Sequence, residues 1–176
     1  MKNFITVLVL AFTLGMNAQN ETFTFPSEKG EKLEGQYIVI NIKGSVEENY
    51  IKTMTMINKM YKNPSEIIEA QVENEYIRIK GLSQLVSDKR SGNDMKHLVS
   101  FEFKTDKIKI TLIDLSMKVV EGRYESVIDM VSYDAINESG KHKKKYIKYG
   151  HQVVYTVNEM LDIMQSLIEK SSNDDW

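Results

Sequence analysis

The chain has 176 residues, 41% of them hydrophobic and 27% charged, with a formal net charge of -2. Such proportions belong to an ordinary globular domain with one core, and argue against a largely disordered or membrane-embedded body. The lack of cysteine excludes a disulfide framework, a thiol nucleophile and a lipid-modified cysteine, and the slight acidity gives no overall basic field for nucleic acid.

Residues 1–18 read as a secretory signal. Met1-Lys2 gives a positive start, Phe4 to Leu14 is an almost unbroken apolar run, and small or polar residues follow to Ala18. The run is shorter than the roughly 20 residues of a bilayer-spanning helix. A mature chain from Gln19 or Asn20 loses Lys2, which leaves 22 basic against 25 acidic residues and a net charge of -3. Residues 19–35 form a lead-in in which Phe23 and Phe25 alternate with threonine before Pro26, an edge strand or a short hairpin arm.

A single α+β domain is expected over 36–170. In Tyr37 to Ile42, the residues Ile38, Ile40 and Ile42 share one side of a period-two strand. Gly44 breaks it, and Ser45 with Glu48 has the spacing of a capping box. A helix from Val46 to Lys62 follows, with Val46, Tyr50, Met54, Ile57 and Tyr61 along one stripe, and Asn63-Pro64 stops it. Ile68, Ala70 and Val72 alternate with polar residues, as do Ile77 and Ile79 beyond a Glu73-Asn74 turn, which predicts a hairpin with one buried face. Strand, helix, strand, strand is the order of an antiparallel sheet with a helix on one side and a more polar face on the other.

Residues 87–94 hold no apolar side chain and read as a solvated loop. Val99, Phe101 and Phe103, then Ile108, Ile110 and Leu112, predict a second hairpin across Thr105-Asp106. At Leu112-Ile113 the alternation changes phase, which calls for a bulge or an exit from the sheet. In 118–150 the spacing of Tyr124, Val127, Ile128 and Val131 is helical, yet the β-branched content equally fits extended chain. Val153, Val157, Met160, Leu161, Met164, Leu167 and Ile168 have the period of an amphipathic helix over 152–170, followed by a polar tail, 171–176.

The strand ending in Gly44-Ser45, the helix after it, the Ile-x-Ile-x-Gly ending at Gly81, the strands around Phe101-Glu102-Phe103-Lys104 and Ile108-Lys109-Ile110, and the Ser-Ser-Asn-Asp-Asp-Trp finish at Trp176 together resemble a known family. Its members are exported proteins of unknown function from Gram-negative bacteria, with a fold like that of the TATA-binding protein (TBP-like). The resemblance implies a curved antiparallel sheet with helices on one face, and implies no chemistry, since a shared shape hosts unrelated functions.

Candidate chemistry is sparse. His97 shares a strand side with Val99, Phe101 and Phe103, close in sequence to Asp94 and Asp88, so it is a candidate base oriented by a carboxylate. A histidine at a strand start is more often solvated, and no Gly-x-Ser-x-Gly elbow accompanies it. Met54, Met56 and Met60 are soft donors of the kind copper(I) takes, but methionine is also a flexible core filler, and no histidine pair has metal-ligand spacing; no cofactor or metal is predicted. The basic run with Lys141, Lys143, Lys144, Lys145, Tyr146 and Lys148 can meet an anionic surface, or be a solvated loop paired with Asp174 and Asp175. Trp176 is either an anchor or a loose end.

The functional expectation is an exported, non-enzymatic binding or interaction module, not integral to a membrane and not directed at nucleic acid. Its partner would be an envelope protein or an extended peptide. The alternative is a small hydrolase-like enzyme using His97.

Overall fold

The computed structural model describes residues 22–33, 35–84, 94–121, 124–129 and 136–170, without side chains at 84, 119–121, 124–129 and 145–149. Residues 1–18, expected to be a signal, Asp88 with most of its loop, and the tail with Trp176 lie outside the described residues.

The chain runs β1 (Tyr37–Asn41), α1 (Val46–Met60), α2 (Pro64–Ile67), β2 (Ile68–Val72), β3 (Tyr76–Gln84), β4 (Asp94–Lys104), β5 (Lys107–Glu121), β6 (Tyr124–Asp129) and α3 (Lys144–Lys170). All strand pairings are antiparallel, in the order β1-β5-β4-β3-β2. β5 is long enough to hold two neighbours end to end on one side, β1 against its first half and β6 against its second. Residues 124–129, open between helix and strand on sequence, are therefore strand.

α1 and α3 lie on one face of the sheet, where Ile38, Ile40, Ile77, Ile79, Val99, Phe101, Ile108, Ile110, Leu112 and Leu115 form one core with Met56 and Ile57 of α1 and Val153, Val157 and Met164 of α3. The predicted bulge is present. Leu98 pairs with Asp114 and Val99 with Leu112, so Ile113 is the extra residue, and Leu115 and Met117 return to the core face.

A second bulge was not legible. Ile68 pairs with Ile79 but Ala70 with Arg78, which leaves Glu69 over and turns Ala70 and Val72 to the outer face. The expected buried alternation of β2 holds only at Ile68, and Val72 is exposed, because one inserted residue reverses every side chain beyond it.

The capping box of α1 forms as the spacing predicts: Ser45 Oγ accepts from Glu48 N–H at 3.1 Å, and Glu48 Oε2 accepts from Ser45 N–H at 2.6 Å. The bond from Ser45 N–H, with the Ser45 hydroxyl, holds the Glu48 carboxyl below its ordinary pKa. The helix ends at Met60, before the expected stop, and Pro64 opens α2, where a missing amide costs nothing. Its buried line is also rotated from the expected stripe. Asn49, Thr53, Met56 and Ile57 face the core, while Val46, Tyr50 and Met54 are only half-buried. Asn49 sits there because its Nδ2 donates to the Lys104 carbonyl (3.0 Å), and Thr53 because its hydroxyl donates to the Asn49 carbonyl (2.9 Å). Met56 is fully buried, and Met54 and Met60 pack against the same core, which is the filler role of methionine.

The lead-in is neither an edge strand nor a hairpin arm. It is an extended segment held by side chains: Asn158 of α3 accepts from Phe23 N–H at 2.9 Å and donates to its carbonyl at 3.0 Å. Phe25 lies on α3 at Gly150, stacked on His142 with ring centroids 5.2 Å apart. A Cβ at Gly150 would stand 2.1 Å from the Phe25 ring, so helix propensity has yielded to packing there. Gly150→Ala adds helix propensity of about 1 kcal/mol. We nevertheless expect a net loss of roughly 1 kcal/mol from overpacking. In a Phe25→Ala background the same change is expected to stabilise, and urea denaturation of the four proteins checks both signs.

Candidate functional site

Antiparallel partners share a sheet face, so the register assembles the outer surface. One cross-strand row reads Val39, Lys109, Glu102, Tyr76, Val72, and the next Tyr37, Thr111, Ser100, Arg78, Ala70. Beyond them lie Lys80, Leu98 and Asp114, then Leu82, Lys96 and Ser116. The face is open: Leu82 is 56% and Tyr37 41% exposed.

Its charge departs from that of the chain. Arg78, Lys80, Lys96, Lys104, Lys107, Lys109 and Lys118 stand against Asp94, Glu102 and Asp114 and, by register, Glu125 and Asp129 of β6, seven basic against five acidic positions and so a net basic face on a protein of net charge -2. Lys109 Nζ lies 3.1 Å from Glu102 and 5.0 Å from the Tyr37 ring centroid, linking three strands. Exposed pairs of this kind add at most about 1 kcal/mol, so this one orients side chains more than it stabilises. Beside it, Asn74, Glu75, Tyr76, Arg78, Ser100, Glu102, Phe103 and Lys104 line a shallow depression of about 490 Å³. Arg78 Nε and Asn74 Oδ1 are occluded there, and Thr111 Oγ1 is occluded further along the Arg78 row, all without a hydrogen-bond partner among the described residues; Ser100, between Arg78 and Thr111, is 7% exposed. Alternation predicts a polar outer face. It does not reveal these unpaired groups, because they arise from neighbours on other strands.

A second groove, of about 670 Å³, runs between α1 and the edge strand β2 and is lined by Met54, Asn58, Pro64, Ser65, Ile68, Glu69, Ala70 and Gln71.

His97 lies on the opposite, helix-covered side, as its alternation with Val99 and Phe101 requires. It is 2% exposed, so the expectation of a solvated ring is corrected: the ring lies over Gly81, its cross-strand partner, beneath Tyr61 at the end of α1. Tyr61 Oη is 3.5 Å from Nε2, the outer limit of a hydrogen bond, and Nδ1 has no partner among the described residues. Burial lowers the His97 pKa to about 4 and raises that of Tyr61 to about 12, so both are neutral at pH 7. Asp94 stands three residues earlier on β4, on the outer face, and does not orient this imidazole. A general base needs substrate access, which a buried ring lacks. Among the described residues no group of three or more histidine, aspartate or glutamate side chains is placed to hold a metal ion.

The basic run is split by structure. Asn137 Oδ1 accepts from Ser139 N–H and Lys141 N–H, and His142 Nε2 hydrogen-bonds the Pro26 carbonyl at 2.9 Å, which fixes the turn ahead of α3. α3 then starts at Lys144, eight residues before the predicted boundary, so Lys144, Lys145, Tyr146 and Lys148 are helical rather than loop. Lysines at a helix N-terminus oppose the helix dipole, which is why the run did not look like a helix start. Side chains of Lys145, Tyr146 and Lys148 lie outside the described residues.

An antiparallel sheet with the two long helices, α1 and α3, on one face and an open, polar other face defines an α+β protein of the TBP-like class. Among solved structures, the chain is similar to a DUF4468 family protein from Bacteroides ovatus, with a TM-score of 0.63 and 13% identity over 83% of this chain and 92% of that one. It is also similar to a TBP-like protein from Parabacteroides distasonis, with a TM-score of 0.58 and 11% identity over 80% of this chain and 93% of that one. No family model matches the sequence, and no curated protein does. At these identities the likeness is one of fold, which is the TBP-like fold the resemblance implied.

Proposed function

We propose that the protein is a non-enzymatic binding module of the cell envelope, exported through residues 1–18, and that its contact surface is the open face of the sheet. The observation that carries this reading is the concentration of lysine and arginine on that face of a net acidic chain. No helix among the described residues is long and apolar enough to cross a membrane, which accords with a partner-held or free domain. Lys141, Lys143, Lys144, Lys145, Tyr146 and Lys148 offer a secondary contact for an anionic surface. The hydrolase alternative finds no support in a buried His97 turned away from Asp94.

The test is affinity capture from detergent-solubilised envelope with three baits starting at Gln19: the unaltered chain, Lys80→Glu with Lys107→Glu on the sheet, and a chain with the lysines of 141–148 changed to glutamine. The expected result is a partner retained by the third bait and lost by the second. A partner held equally by the second bait, or none captured by any folded bait, overturns the reading.

A further inference from the structure

The ligand of this face can be specified further, on the reading that the open face is the contact surface. We propose that it takes an extended peptide segment with acidic residues at alternate positions, anchored at Arg78. Arg78 and Lys80 lie two residues apart on β3, and Lys107 and Lys109 two apart on β5, all on the outer face. Side chains two apart on a strand are spaced by roughly 6.7 Å, the same interval at which an extended peptide presents its alternate side chains. A peptide lying along the strands therefore meets each cation pair in register.

Arg78 supplies the anchor. Its residue lines the shallow depression, its Nε–H is occluded without an acceptor among the described residues, and its cross-strand row continues through Ser100 to the Thr111 hydroxyl, also without a partner among them. A carboxylate is the acceptor that a guanidinium fork fits best in a peptide. Lys109 is partly neutralised by Glu102, which leaves Arg78, Lys80 and Lys107 as the primary charges.

Two observations favour a peptide over a uniformly charged polymer. Asp94, Glu102 and Asp114, with Glu125 and Asp129 on β6, interrupt the cations and would repel an anion carrying charge on every unit, whereas a peptide can place neutral or basic residues opposite them. Lys109 Nζ already sits over the Tyr37 ring, which hinders the base stacking that single-stranded nucleic acid uses.

The experiment uses the isotope-labelled chain from Gln19 and three probes: a peptide alternating glutamate and threonine, its glutamine counterpart, and oligothymidylate. Amide shifts are expected at Arg78 to Lys80 and Lys107 to Lys109 with the glutamate peptide, which binds at least about tenfold more tightly than the glutamine peptide and weakens as salt rises. Arg78→Lys, which keeps the charge and loses the fork, weakens it several-fold, on the order of threefold or more. Lys80→Glu with Lys107→Glu shifts the preference to a peptide alternating lysine and threonine. Equal binding of the glutamate and glutamine peptides, shifts confined to 141–144 and α3, or tighter binding of oligothymidylate overturns the proposal. If the peptides fail while the sheet-reversed bait still loses its envelope partner, the acidic-peptide ligand falls and the contact face stands.

Discussion

Gly81→Ala is expected to destabilise the protein by roughly 2–3 kcal/mol, a large effect for one methyl group, because there is no space for it. The backbone at Gly81 is ordinary strand, where alanine is normally favoured over glycine by about 0.5–1 kcal/mol. The obstacle is spatial: an added Cβ would lie 2.2 Å from Nε2 and 2.6 Å from Cε1 of His97, and 3.0 Å from Tyr61 Oη. His97 has little room to retreat, being 2% exposed between β3 and the end of α1. The measurement is a double-mutant cycle by urea denaturation with His97→Ala. In that background the cost of Gly81→Ala should vanish or reverse. An equal cost in both backgrounds would show that the strand backbone, not the imidazole, demands glycine.

The second large effect is in acid. His97 has its pKa held at about 4 by burial, against an ordinary value of 6.5. Between those two pH values the unfolded chain binds a proton at this site and the folded chain does not, so stability rises with pH. The penalty is therefore absent above pH 6.5, grows as pH falls, and is complete below pH 4. At about 1.4 kcal/mol for each pH unit of that gap, it saturates at roughly 3 kcal/mol. His97→Gln removes the titration, and its denaturation midpoint should decline less from pH 6.5 to 4 than that of the unaltered chain. Parallel declines would mean that other groups carry the acid sensitivity. His97 carries this cost although, among the described residues, Nδ1 lacks a partner and Tyr61 Oη is at the limit of hydrogen-bond contact.

The candidate face shows how far alternation reaches. Reading each strand separately assigns Arg78 and Lys80, or Lys107 and Lys109, to one side, but says nothing of which cations adjoin. Register decides that. The β5 bulge at Ile113 brings Asp114 opposite Leu98, and the β3–β4 pairing sets Ser100 beside Arg78. The unpaired Nε of Arg78 is a property of those neighbours, not of its sequence context.

By itself the sequence determined what depends on neighbours within a few residues: the alternation of Ile38, Ile40 and Ile42, the Ser45 and Glu48 cap, the helical period after Val153, and the change of phase at Ile113, each formed as its spacing requires. Together they implied an α+β sheet with one polar face. Tertiary structure alone decided what depends on contacts between distant residues. Asn49 is buried because the Lys104 carbonyl lies above it, Phe23 is held by Asn158 rather than by a strand, and Gly81 and Gly150 are spaces for the rings of His97 and Phe25. Local periodicity records which side of an element is apolar; the partner across the core determines which polar or small residue that side must also contain.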